Sequence, residues 1–404
     1  MNDVTHSIPA FAMLVGILIM LSILLRKWFA RTSIPSLIGF LFVGFLLRLA
    51  DARWKIIDSK GETIFEFLAG IGIIVILFRV GLESNLHNLI DKLPRAVPIW
   101  IGNVLLSGIP GFAVAYYVLE ISMVPSLFVA IALTATSIAV SVSVWQEVGA
   151  LRSPDGDLLV DVAALDDISG VALMALLIAL VPILYTGNNS ALFPALLETS
   201  AIFVGKALLF GTFCLLFAQY AEEHISQFIK STQAPDPILF VLGTGIVIAS
   251  IAGFFGFPLA IGALFAGLVF SRDPEVIRLE TMFLPLYEFF MPFFFINIGL
   301  MIDPAALGAA SQIGAVLLIV AIVGKVVGAG VPALLSTGLA GAAAIGVSMV
   351  PRAEIALVVM QEGAKMGTEA MPDTVFAAIV LVSAVTCIVA PFVTAKLLKY
   401  KSYK

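Results

Sequence analysis

The chain has 404 residues, 61% of them hydrophobic and only 12% charged, with a formal net charge of −5. Soluble domains carry about 25% charged residues, so this composition excludes a water-covered globule, and without basic blocks nucleic acid is not an expected partner. The apolar runs are long and unbroken, not alternating over about ten residues as a β-barrel requires. The expected fold class is an all-α polytopic membrane protein.

A membrane-spanning helix needs about 20 apolar residues. Cutting the chain at glycines, prolines and charge clusters predicts thirteen segments: 8–28, 33–50, 62–82, 95–118, 123–147, 156–184, 197–221, 236–253, 256–271, 283–302, 308–335, 339–363 and 373–397. The first is expected to be a retained span, because basic residues follow its apolar run where a cleaved signal would have them in front. With the N-terminus outside and the C-terminus inside, thirteen basic residues fall on inside loops and ends, Arg26, Lys27, Lys230, Arg272 and Lys404 among them, against five outside. That asymmetry favours the assigned orientation. Four basic residues are left within spans: Arg79, Lys206, Lys325 and Arg352. Arg79 and Lys206 lie near span ends, where snorkelling suffices; Lys325 is deep. Cys214 and Cys387 read as small buried hydrophobes, and His6, His87 and His224 fall at predicted helix ends or loops. No cofactor is expected.

Two spans are interrupted. The fifth contains "IALTATSIAVSVSVWQEVGAL", with Thr134, Thr136, Ser137, Ser141 and Ser143 in mid-span; the twelfth contains "AIGVSMVPRAEIALVVMQEG", with Pro351, Arg352 and Glu354 at similar depth. Proline removes a helix hydrogen bond, and freed backbone groups at membrane depth are tolerated only against protein or a water-filled cavity. An offset of seven spans fits two inverted halves of six, about 8–184 and 236–400, joined by a linker helix at 197–221. Interrupted segments at matching positions of two halves point to a transport site at the midplane. Glu354 suits the positive N-terminal ends of the half-helices and Arg352 the negative C-terminal ends.

The sixth span carries Asp161, Asp166 and Asp167 in "VDVAALDDISGVALMALL". Entering near Gly156, the chain reaches Asp166 about 15 Å in at 1.5 Å per residue, near the middle of a hydrocarbon core of about 30 Å. Adjacent side chains point about 100° apart on a helix, so one aspartate can face Lys325 and the other the interrupted crossing. A carboxylate in such a place can hold either a proton or a cation, and Thr136, Ser137 and unwound carbonyls add hard oxygen ligands. Competition for one oxygen cluster is sufficient for coupled exchange of an alkali cation, Na+ or K+, for H+.

The stretches "ALTATSIAVSVSVWQEVGAL", "AALDDISGV", "AIVGKVVGAG" and "SMVPRAEIALVV", in that order, resemble the monovalent cation:proton antiporter-2 family, and most of all its sodium/proton exchangers with a paired Asp-Asp motif. "IGIIVILFRVGLE" and "FPLAIGALFAGLVFSRD" are similar to it as well, so the resemblance runs over essentially the whole chain. It implies thirteen spans, a homodimer in the cell membrane, and an elevator-type cycle between a dimerisation domain and a mobile core. By motif, Asp167 corresponds to the principal ion-binding carboxylate and Asp166 to the partner of the family's lysine, here Lys325. Thr136 and Ser137 fall in one unwound crossing, Arg352 and Glu354 in the other.

Three positions depart from that pattern. Asp161 replaces a small neutral residue and is expected to line a cytoplasmic access funnel. Arg79 stands where an apolar residue is expected, and Ala353 where glycine is usual. No soluble nucleotide-binding domain is expected after the last span. Other readings are a potassium efflux system or channel of related fold, a sodium-coupled organic-anion symporter, and an intramembrane aspartyl protease. The last needs two carboxylates sharing a proton at about 3 Å, which neighbours on one helix do not offer, so an enzyme is not expected.

Overall fold

A computed structural model describes residues 2–29, 31–32, 34–57, 59–83, 86–186, 189–221, 237–271 and 274–401. Lys230, Arg272 and Lys404 of the inside charge count, and His224, lie outside the described residues. The elements are all helical: α1 (Asn2–Phe29), α2 (Ser36–Trp54), α3 (Ser59–Glu83), α4 (Leu86–Ala113), α5 (Met123–Thr134), α6 (Ile138–Glu147), α7 (Pro154–Thr186), α8 (Asn189–Leu216), α9 (Pro237–Phe254), α10 (Leu259–Phe270), α11 (Pro274–Leu300), α12 (Leu307–Ser348), α13 (Glu354–Lys365) and α14 (Asp373–Lys401). Among the described residues, nine helical stretches are long and apolar enough to cross a membrane. The outward faces carry large apolar side chains such as Phe254, Leu335 and Leu339, as lipid contact requires.

Each predicted span falls on these helices, with different ends. The fourth starts at Leu86, well before residue 95, and runs through Pro94 and Pro98; charged residues at its start mark no boundary, because a helix can continue beyond the hydrocarbon. The eleventh and twelfth spans meet within α12 at Gly338, whose φ of 71° suits glycine alone. The turn at "GFFGFPLA" separates α9 from α10, with Gly256 at φ 83°.

The helices pack in two groups. In one, α12 lies along α4 and α14, with α5, α7 and α13 against them; in the other, α11 packs on α2 and α3, and α10 on α3 and α9. Close approach fixes the first group at the point that matters for the site. A Cβ built on Gly102 of α4 would stand 2.5 Å from the Gly328 carbonyl oxygen, and one on Gly328 of α12 would stand 2.7 Å from that of Gly102. Backbone touches backbone there, one residue before Asn103 and one turn after Lys325. Small residues are what allow this approach between membrane helices.

Gly328→Leu should therefore force α4 and α12 apart. Overpacking of this kind costs about 1–3 kcal/mol, read as a lower melting temperature of the detergent-solubilised protein.

Candidate ion-binding site

Two breaks make the site. Helix α5 stops at Thr134, where the hydroxyl bonds back to the Ile131 carbonyl at 2.8 Å, and Ala135 is extended. Hydroxyl side chains compete in this way with helical backbone bonding. On the other side, Pro351 has no N–H to carry a helix through, and α13 begins afresh at Glu354. The two gaps cross. The Ser137 N–H donates to the Pro351 carbonyl at 2.7 Å, the Ser141 hydroxyl donates to the Ser348 carbonyl, and Trp145 Nε1 donates to Ser348 Oγ at 2.8 Å.

Charges answer the four half-helix ends. Arg352 is fully buried; it donates to the carbonyls of Val350 at 2.9 Å, Leu133 at 2.9 Å and Ala321 at 3.0 Å. Lys325 reaches the Thr134 carbonyl, so two cations meet the negative C-terminal end of α5. Glu354 opens α13 and accepts from Ser137 Oγ, next to the start of α6, at 2.8 Å. One carboxylate thus stands beside both N-terminal ends.

The two aspartates differ in their surroundings. The Asp166 carboxylate is held by three groups: Lys325 Nζ lies 3.0 Å from Oδ2, Thr136 Oγ1 donates to Oδ2 at 2.6 Å, and Asn103 Nδ2 donates to Oδ1 at 2.8 Å. The backbone carbonyl of Asp166 accepts from Ser169 Oγ at 3.0 Å, and Ser169 in turn accepts from Trp100 Nε1 at 2.9 Å. Lys325 also donates to Thr136 Oγ1 at 2.7 Å, closing a triangle of ammonium, hydroxyl and carboxylate.

Asp167 faces elsewhere, into a cavity of about 50 Å³ shared with Thr136, Glu354, Ile355, Arg79 and Tyr287. That cavity adjoins one of about 350 Å³, since Ala139, Tyr287 and Glu354 line both. The larger cavity reaches Arg26, Thr32 and Glu147, at the ends of α1 and α6. Asp161 is buried on α7 and is not among the residues lining these two cavities, the larger of which is walled by α1, α2, α6 and α11. Sequence reasoning passed over Asn103, Tyr287 and the Ser141–Ser348–Trp145 contacts. The amide of Asn103 inside the apolar run "IWIGNVLL" is the one signal that was available for them.

The sodium/hydrogen exchanger transmembrane family model matches residues 16–400. The chain belongs to that family. Its sequence is 30% identical to the high-affinity Na+/H+ antiporter NhaS3 of Synechocystis, over 84% of this chain and 73% of that one. It is 25% identical to the Na+/H+-K+ antiporter GerN of Bacillus cereus, over 89% of each. The solved sodium proton antiporter MjNhaP1 of Methanocaldococcus jannaschii superposes with a TM-score of 0.70 at 17% identity, over 96% of this chain and 97% of that one, which shows the shared exchanger fold.

In this exchanger the buried ion pair sets a stability test. Removing one partner of a buried pair costs about 3–5 kcal/mol, because the other is left uncompensated. Lys325→Ala should melt well below the parent, and Lys325→Ala/Asp166→Asn should recover part of that loss. A single variant that melts like the parent would contradict the pairing.

Proposed function

We propose that this family member exchanges a monovalent cation, Na+ first and K+ second, for protons by alternating access, with Asp167 as the carboxylate that trades one for the other. The observation that carries this reading is the division between the two aspartates. Asp166 is tied to Lys325, Thr136 and Asn103, while Asp167 lies in a cavity that continues toward the ends of α1 and α6. A carboxylate with such access can take up either a proton or an alkali ion; Thr136 and Glu354 line the same cavity with further oxygens, and Ser137 stands behind Glu354, to which it donates. K+ stays in the reading because GerN is named for both ions.

The rest of the proposal follows from that assignment. The protein sits in the cell membrane as a homodimer among lipids, N-terminus outside and C-terminus cytoplasmic, so the larger cavity opens to the cytoplasm. The residues 8–184 and 236–400 form inverted halves joined by the helix at 197–221. The group holding the two interrupted helices moves as a core against the group holding α2, α3 and α11, with the ion site at the contact between them. Arg352 and Glu354 compensate the half-helix ends throughout.

Asp167→Asn keeps the shape but cannot trade a proton for a cation. The purified variant should fold normally and give no cation-driven proton flux in proteoliposomes, where the parent dissipates a pH gradient on addition of Na+. Substantial flux from the variant would remove Asp167 from the mechanism.

Two aspartates and a lysine at the site allow two protons to be exchanged for one cation, so the cycle moves net charge. One elementary charge crossing 100 mV is worth about 2.3 kcal/mol, about a fiftyfold bias in the sodium gradient that can be sustained. With the potential clamped by a potassium gradient and valinomycin, the rate and final sodium gradient should differ between inside-positive and inside-negative vesicles. Equal values would show an electroneutral cycle.

A further inference from the structure

The cavity beside Asp167 contains a positive charge that the exchange reaction itself does not call for. Arg79 comes from α3, in the helix group opposite the interrupted helices. Its guanidinium carbon lies 4.4 Å from the centre of the Tyr287 ring, a distance at which cation and ring face attract. Arg79 and Tyr287 line the same cavity as Asp167, Thr136 and Glu354, and the Arg79 charge acts on the Glu354 carboxylate.

Its backbone placement is tightly set. Two residues on, a Cβ built on Gly81 would stand 2.8 Å from Cα of Gly267 in α10, so α3 and α10 meet backbone to backbone. Residues two apart on a helix point about 200° from one another. Gly81 turned toward α10 therefore turns Arg79 toward the cavity. The space there is about 50 Å³, room for a few waters. A transported ion that reaches Asp167 enters beside a charge of its own sign.

We propose that Arg79 is an affinity-determining residue of the exchange, a built-in cation that competes with the transported ion for the Asp167–Glu354 cavity. This rests on Asp167 being the exchange site. With no ion bound, the guanidinium balances the two carboxylates; when an ion arrives it must displace that influence, and the apparent affinity is lower than the oxygen cluster alone would give. Because Arg79 and the carboxylates belong to different helix groups, the competition operates only while the two groups stand in this relative position.

The test measures exchange in proteoliposomes as a function of Na+ concentration, for the parent protein and for Arg79→Gln and Arg79→Lys. Arg79→Gln is expected to lower the apparent KM for Na+ at least threefold without raising the maximal rate, and Arg79→Lys, which keeps the charge on a thinner stem, should give an intermediate value. Lost packing alone would leave KM unchanged or raise it, and either result overturns the proposal. If Arg79→Gln does not fold, Arg79→Met, which keeps the length of the stem without its charge, carries the same comparison. The double variant Arg79→Gln/Asp167→Asn separates the two assignments: it should be silent, and if it exchanges ions, it is the role of Asp167 that fails.

Discussion

The contact of Lys325 with Asp166 is the interaction on which the rest of the site depends. An isolated charge at membrane depth costs several kcal/mol even on the most permissive scales, and here both members are almost wholly enclosed. They are tolerable because every direction from them is answered: ammonium to carboxylate at 3.0 Å, ammonium to the Thr134 carbonyl, hydroxyl and amide to the remaining carboxylate oxygens. Those partners come from α4, from the gap after α5, from α7 and from α12. The pair thus holds four parts of the chain in one arrangement, and the interruption of α5 is a condition of it, since an intact helix would keep the Thr134 carbonyl for itself.

The same arrangement places Asp167, the next residue on α7, in the wall of a cavity. Adjacent positions on α7 diverge far enough that one carboxylate meets Lys325 while the other meets a cavity. Burial alone would not distinguish them. What differs is the neighbour each one finds: helices of its own group for Asp166, the facing group with Arg79 and Tyr287 for Asp167.

Much of this was legible in the sequence. Span positions follow from apolar length, and the interruptions from hydroxyl clusters and Pro351, because these features act within a few residues of where they stand. The aspartates were conspicuous for their cost in hydrocarbon. Less legible were features that depend on distant packing. Asn103 joins Asp166 only because Gly102 and Gly328 let α4 and α12 touch, and nothing local to Asn103 announces that contact. Which elements wall a cavity is likewise decided by how helix groups face each other. Helix ends moved for a related reason: charges near Leu86 bar a segment from lipid, not from being helical.

The manner in which Arg352 is held has a consequence of its own. Its bonds go to three backbone carbonyls, those of Val350, Leu133 and Ala321, and carbonyls do not gain or lose protons. The acceptors through which Arg352 joins the two interrupted helices are therefore the same whatever charge the neighbouring side chains carry. A crossing clamped by a carboxylate in that place would loosen each time a proton arrived. Clamped by peptide groups, it draws on acceptors that no proton can switch off.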